Sequence, residues 1–125
     1  MRISIENTTE ETLPKIDFAA IKEAVLGDRY DLSVVITPPT EIRKLNLIYR
    51  NLDTATDILS FPLAPNAGEI HICLSEARKE AKKFGRNYQN FLAFLFVHGC
   101  AHLKGYDHSS KMEKFEEQLR QKFNI

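Results

Sequence analysis

Three of the four histidines of this 125-residue chain lie together in one short segment. His98 and His102 are four residues apart, so on a helix they lie about 40° apart around the axis and one turn along it. Their imidazoles can therefore face one point, as a metal ion with nitrogen ligands requires. Gly105 allows the left-handed turn that would bring His108 back to that point. Three histidines leave one position of a tetrahedral ion open to water, which is typical of catalytic rather than structural zinc.

A single histidine in a helix is more often a hydrogen-bonded core residue than a ligand. The combined spacing H-x-x-x-H-x-x-G-x-x-H favours the metal site, and it is also the spacing of metzincin proteases. Those enzymes carry a glutamate directly after the first histidine as general base, whereas this chain has Gly99 there. The missing carboxylate argues against peptide hydrolysis. It is compatible with cleavage of a phosphodiester, whose charge a metal ion and an arginine can neutralise.

Other residues could complete or close such a site. Asp107 could orient an imidazole through a hydrogen bond, or could merely cap the following segment. Cys100 lies about 200° around a helix from His98, so we expect it to point into the core. Cys73 is the residue that could act as a fourth ligand, which would make the metal structural. A core or surface position is the simpler expectation for Cys73 and for His71, the fourth histidine.

Hydrophobic periodicity predicts the elements that position these residues. Four strands and five helices follow from the spacing of apolar residues and from Gly, Pro and capping signals: strands at 2–6, 32–37, 58–61 and 69–74, and helices at 16–26, from 41 to at least 49, 75–84, 88–103 and 111–123. We expect Thr40 and Ser75 to cap the second and third helices, and Pro62 to end the third strand. The helix at 88–103 is apolar all round, so it should be central and buried. The order predicts one small mixed sheet with helices packed on it.

Length and composition fit one domain over residues 1–125. Hydrophobic residues make up 43% of the chain and charged residues 27%, with 17 basic and 17 acidic side chains. The balanced charge gives no overall attraction for an anionic polymer, so any contact with nucleic acid must be local. The sequence lacks the apolar core of a signal peptide, an apolar run long enough for a membrane span, and a disulfide framework. We therefore expect a cytoplasmic protein without a membrane segment.

Residues 78–86, at the end of one predicted helix and just beyond it, have a local charge of +4. Five basic residues oppose the single acidic Glu80 there: Arg78, Lys79, Lys82, Lys83 and Arg86. A solvated helix face is the simpler interpretation. The alternative is a surface that contacts the RNA backbone, which should make RNA binding depend on salt through these residues.

Three stretches of the sequence resemble the YbeY family of bacterial metal-dependent endoribonucleases. They are H-G-x-x-H-L-x-G-Y-D-H at 98–108, L-N-x-x-Y-R-x-x-D-x-x-T-D-I-L-S-F-P at 45–62 and G-E-I-x-I at 68–72. The resemblance implies a zincin-like α+β fold, with four strands, about five helices and the metal-bearing helix in the centre. It also implies that His98, His102 and His108 bind one metal ion and that Arg50 is the family's functional arginine. Zinc suits three imidazoles, although other transition metals also accept them.

The activity implied by this resemblance is cleavage of single-stranded RNA within the chain. The family acts in maturation of ribosomal RNA, particularly the 3′ end of the small-subunit RNA, and in ribosome quality control. The expected partners are therefore single-stranded RNA and the ribosomal small subunit. Spacing alone leaves Arg50 equally compatible with an ordinary surface arginine. Two other functions stay open from the sequence: a metallopeptidase-like hydrolase, and a non-catalytic ribosome-associated factor in which the metal holds the fold.

Overall fold

The computed structural model of the chain describes residues 2–105 and 110–125, and there it has the predicted order of strands and helices. The elements are β1 (Ile3–Asn7), α1 (Phe18–Leu26), β2 (Asp31–Ile36), α2 (Pro39–Arg50), β3 (Ile58–Ala64), β4 (Ala67–Ile72), α3 (Leu74–Lys83), α4 (Tyr88–Leu103) and α5 (Ser110–Phe123). The predicted α+β class is confirmed. None of the described helices combines the length and the apolar composition needed to cross a membrane.

The four strands form one mixed sheet in the order β1-β2-β4-β3. β1 and β4 run parallel to β2, while β3 pairs antiparallel with β4 and forms an edge of the sheet. The prediction that Pro62 ends the third strand was wrong, because β3 continues to Ala64 with a register irregularity after the proline. An edge strand tolerates proline, since one side of the strand needs no ladder donor.

The two faces of the sheet are covered by different helices. On one face, alternate residues of β2 and β4 join the main core with α1, α3, α4 and α5; Leu32, Val34, Ile70 and Ile72 are buried there. On the other face, Ile42 of α2 packs with Leu59 of β3 in a smaller cluster. Successive strand residues point to opposite faces, so α2 and α4 lie on opposite sides of the sheet.

The central helix α4 approaches the edge strand closely at Gly99. A Cβ atom at this position would lie 2.7 Å from Cδ1 of Ile58 and 3.1 Å from Oγ of Ser60. The Ser60 hydroxyl also donates a hydrogen bond to the Gly99 carbonyl, at 3.2 Å. The glycine that replaces the metzincin glutamate therefore faces the sheet, where a carboxylate would have to displace β3 side chains.

Two predicted helix caps were wrong. α2 begins at Pro39 with Pro38 as its N-cap, and α3 begins at Leu74 with Cys73 as its N-cap; neither cap makes a side-chain hydrogen bond. Proline is preorganised for the first helical position, so α2 starts before Thr40. β4 ends only two residues before α3, so the backbone enters that helix before Ser75. The αL conformation expected at Gly105 is close to what the structure has, with φ of +101°.

Candidate metal centre

His98 and His102 lie one turn apart on α4, and their rings converge. The two Nε2 atoms are 3.1 Å apart, and the rings are almost perpendicular, with centroids 4.6 Å apart. Two nitrogens bound to one tetrahedral ion at about 2.0–2.1 Å would be roughly 3.3 Å apart. The pair therefore fits a shared transition-metal ion with little movement of either ring.

The other ring nitrogen of His98 contacts a carboxylate on the last helix. Nδ1 of His98 lies 2.8 Å from Oε1 of Glu116, and Glu116 is only 7% exposed. Glu116 was not among the residues expected at this site. A signal was present, because Glu116 falls on the apolar stripe of α5 that also carries Leu119 and Phe123. A carboxylate on such a stripe requires a partner, since burial of an unpaired charge is costly.

The predicted third ligand, His108, and its neighbour Asp107 lie outside the described residues. Within residues 2–105 and 110–125, no three His, Cys, Asp or Glu side chains group together in a way that could hold a metal ion. The third ligand thus stays a prediction. The turn required to reach it starts at the expected place, because α4 ends at Leu103 and the Gly105 amide donates to the His102 carbonyl at 3.0 Å.

The two cysteines lie away from the histidine pair. Cys100 is fully buried, as expected, and burial raises the pKa of its thiol far above the ordinary value. Cys73 is buried in the smaller cluster with Ile42 and Leu59, on the opposite face of the sheet from α4. Its Sγ atom lies 3.4 Å from the Ser75 hydroxyl. Cys73 is therefore badly placed to act as a fourth ligand.

The fourth histidine, His71, belongs to a separate polar cluster. Its Nδ1 lies 2.8 Å from the Thr37 hydroxyl and its Nε2 contacts the Glu69 carboxylate. The neighbouring Ile70 faces α4, near Gly99. Because side chains alternate along β4, His71 points away from the histidine pair.

Arg50 is the last residue of α2 and is exposed. The helix that Arg50 ends packs on the opposite face of the sheet from α4. The neighbouring Tyr49 packs its ring on Phe61 of β3, with centroids 4.9 Å apart. Phe61 follows Ser60, whose hydroxyl contacts α4. Helices α2 and α4 thus contact β3 from its two faces.

The basic side chains of α3 are largely engaged. Lys79 and Lys83 pair with Glu76 and Glu80 one turn earlier, at 3.2 and 3.0 Å. Arg78 forms an ion pair with Glu11. These contacts are those of a solvated helix face, so they favour the simpler of the two interpretations of this charge.

Comparison with known proteins supports the resemblance carried by the three sequence stretches. The family described as Endoribonuclease YbeY matches residues 2–124. Proteins named Endoribonuclease YbeY from Sulfurimonas denitrificans and Bacillus velezensis are 38% and 37% identical; the matches cover 76% and 90% of this chain and 73% and 81% of the relatives. The solution structure of a protein from Thermotoga maritima is similar with a TM-score of 0.63 and 26% identity, over 98% of this chain and 91% of that one. The chain belongs to the YbeY family of endoribonucleases.

Proposed function

We propose that this chain cleaves single-stranded RNA with the help of one transition-metal ion, zinc in the first instance, held by His98, His102 and His108. The observation that carries the proposal is the 3.1 Å separation of the His98 and His102 Nε2 atoms on one helix. The spacing of the family motif supplies His108 as the third ligand. When bound, such an ion acts as a Lewis acid toward a phosphate oxygen or the attacking water.

Arg50 binds the phosphate of the RNA and stabilises the negative charge that develops as the bond breaks. Its support is its place in the family motif and its exposure at the end of α2. An RNA strand that crosses the outer edge of β3 would pass both the end of α2 and the histidines of α4. A single strand can bend over such an edge and present one phosphate, whereas a stacked duplex is stiffer.

The substrate we propose is ribosomal RNA, with the 3′ end of the small-subunit RNA as the main site. The ribosomal small subunit is then the partner that presents it, in the cytoplasm, both in maturation and in quality control. Membership of the YbeY family supports this assignment. The balanced net charge also fits, since a neutral protein needs a partner or a local contact to select one RNA among many.

A metallopeptidase is the second candidate, because it shares the metal spacing. The Cβ position of Gly99 weighs against it, since that position faces Ile58 and Ser60 rather than open space. The third candidate, a non-catalytic metal-binding factor, needs a closed coordination sphere. Cys73, the side chain that could have closed it, lies on the other face of the sheet.

One assay separates the three candidates. Protein purified with its metal is incubated with single-stranded RNA, with the same RNA in a duplex, and with casein, each with and without chelator. We expect chelator-sensitive cleavage of the single strand alone, and loss of that cleavage in His102→Ala. Cleavage of casein would select the peptidase. Unfolding by chelator with neither substrate cleaved would select the structural factor.

A further inference from the structure

We propose that Glu116 is a positioning residue for His98: its carboxylate fixes the tautomer and the orientation in which Nε2 faces the metal. This inference rests on the proposed metal site. The contact joins Oε1 of Glu116 to Nδ1 of His98 at 2.8 Å. It also joins two helices, since His98 is on α4 and Glu116 on α5.

The chemistry of the two groups sets the tautomer. An ionised carboxylate only accepts hydrogen bonds, so Nδ1 of His98 must carry the proton in this contact. In a neutral imidazole the other nitrogen is then unprotonated, and its lone pair can accept a hydrogen bond or bind an ion. That nitrogen is Nε2, the atom 3.1 Å from Nε2 of His102. Glu116 therefore selects the one tautomer of His98 that can bind an ion at the point where the two rings converge.

Burial of the Glu116–His98 contact strengthens the preference for this tautomer. The Glu116 side chain is 9% exposed and that of His98 is 26% exposed, so water screens the contact poorly. Carboxylate partners of metal-binding histidines typically contribute 10- to 100-fold in metal affinity. The packing of α5 against α4 thereby becomes part of the metal site, although α5 lies after the histidine motif in the chain.

The test compares Glu116→Gln with Glu117→Gln, an exposed neighbour on the same helix. Zinc transfer from the loaded protein to a chromophoric chelator gives the relative affinity. We expect Glu116→Gln to lower zinc affinity at least tenfold and Glu117→Gln to leave it unchanged. A wild-type protein that takes up no zinc would refute the metal site itself. Normal uptake by wild type with equal affinity in both variants would refute only the role of Glu116.

A spectroscopic readout separates positioning from mere packing. In the zinc-loaded wild-type protein, the proton on Nδ1 of His98 should give a strongly low-field NMR signal, because it is held by a carboxylate. We expect this signal to move upfield or broaden in Glu116→Gln and to stay in Glu117→Gln. Glu116→Asp, which keeps the charge, should restore part of it. An unchanged signal in Glu116→Gln would show that Glu116 only packs α5 on α4.

A second observation concerns Tyr49, and from it we infer a binding site for one nucleobase beside Arg50. Tyr49 is 64% exposed although it is aromatic. Its ring packs on the ring of Phe61, with centroids 4.9 Å apart. The Phe61 ring in turn packs on the ring of His71, with centroids 5.7 Å apart. A supported, exposed ring is the surface on which single-stranded nucleic acids stack their bases. This inference also rests on the proposed function.

The position of Tyr49 makes RNA the fitting ligand. Arg50 follows it directly and would hold a phosphate, so the base attached to that nucleotide or the next can reach the Tyr49 ring. The strand on which Tyr49 packs, β3, also contacts α4, through the Ser60–Gly99 hydrogen bond. Tyr49 would thus set which nucleotide stands at the cleaved position, by stacking rather than by hydrogen bonds to the base.

RNA that lacks one base at a time tests this site. Wild-type protein should lose about tenfold in kcat/KM when one particular base is missing. Tyr49→Leu should lose about tenfold on intact RNA and no longer respond to that missing base. Tyr49→Phe keeps an aromatic ring and should still respond to the missing base, whereas the exposed neighbour variant Ile48→Ala should behave as wild type. A uniform loss in Tyr49→Leu on every RNA, including the one without the base, would assign Tyr49 to packing alone. No cleavage by wild type would instead contradict the proposed function.

Discussion

The Ser60 hydroxyl donates a hydrogen bond to the Gly99 carbonyl, and this contact ties the edge strand β3 to the helix that carries the histidine pair. Gly99 directly follows His98, so the distance between β3 and α4 determines how far the first histidine stands from the strand. The absence of a side chain at Gly99 allows that distance to be short.

The close approach predicts that Gly99 and Ile58 are energetically coupled. Gly99→Ala places a methyl group 2.7 Å from Cδ1 of Ile58, and overpacking of this kind costs about 1–3 kcal/mol. Alanine is a better helix former than glycine by about 1 kcal/mol, which offsets part of this cost. The stability of Gly99→Ala alone therefore does not test the close approach. Ile58→Val removes Cδ1, and the double variant should be more stable than the sum of the single effects by about 0.5 kcal/mol or more. Denaturant unfolding of the four proteins measures this coupling, and additive effects would show that the approach is not tight.

Arg50 is expected to act in cleavage without affecting the metal. Arg50→Ala should lower kcat/KM on single-stranded RNA by roughly 100-fold or more, because it removes a charge that stabilises the reacting phosphate. Metal content should be unchanged. The matched control is Arg43→Ala, an exposed arginine on the same helix that pairs with Asp53 at 2.8 Å. Comparable activity of the two variants would remove Arg50 from the mechanism.

The pH dependence of stability should reveal the environment of Asp57. Burial, and then the nearby Glu80 carboxylate, raise the pKa of Asp57 above its ordinary value of 3.8. The folded protein therefore holds this proton more tightly than the unfolded chain. As the pH rises from about 3.8 through the raised pKa, the free energy of unfolding of wild type should fall relative to that of Asp57→Asn, and then level off.

Asp53 provides a control of opposite sign. Its hydrogen bond and ion pair with Arg43 lower its pKa, so wild type should lose stability relative to Asp53→Asn as the pH falls through that lowered pKa. The effect should be small, since the pair is exposed and screened by water. Thermal unfolding of wild type and of both variants from about pH 3 to 7 gives, for each variant, the slope of the stability difference from wild type against pH. Equal slopes would contradict the assignment for Asp57.

The basic face of α3 is expected to contribute little to RNA binding, because Lys79 and Lys83 are paired within the helix. The double variant Lys79→Gln, Lys83→Gln should leave the salt dependence of RNA binding unchanged. Arg50→Ala should reduce the slope by about 0.7, the value for one lost contact with single-stranded nucleic acid. If the lysine variant flattens the slope instead, α3 belongs to the RNA-binding surface.

The sequence predicted the parts that depend on local pattern. The largely apolar segment 88–103 was predicted as a buried central helix, and it forms α4. The four-residue spacing of His98 and His102 predicted that their rings converge, and their Nε2 atoms lie 3.1 Å apart. These features follow from helical geometry and need no knowledge of the rest of the chain.

Features set by tertiary packing were missed. Glu116 contacts His98 only because α5 packs on α4; its place on the apolar stripe indicates that it has a partner but does not identify that partner. Cys73 was considered as a ligand because strand alternation does not reveal which face of the sheet α4 will cover. The predicted starts of α2 and α3 were one or two residues late. Thr40 and Ser75 are of residue types that favour the N-cap position, but both already lie inside their helices, which begin at Pro39 and Leu74.

X-ray absorption of the protein purified without added metal tests the central claim most directly. Three imidazole rings from His98, His102 and His108 should surround one transition-metal ion, with an additional oxygen ligand and no sulfur. In His102→Ala, the bound ion should be largely lost. A sulfur ligand at about 2.3 Å, a fourth imidazole, or a wild-type protein without bound metal would contradict the account.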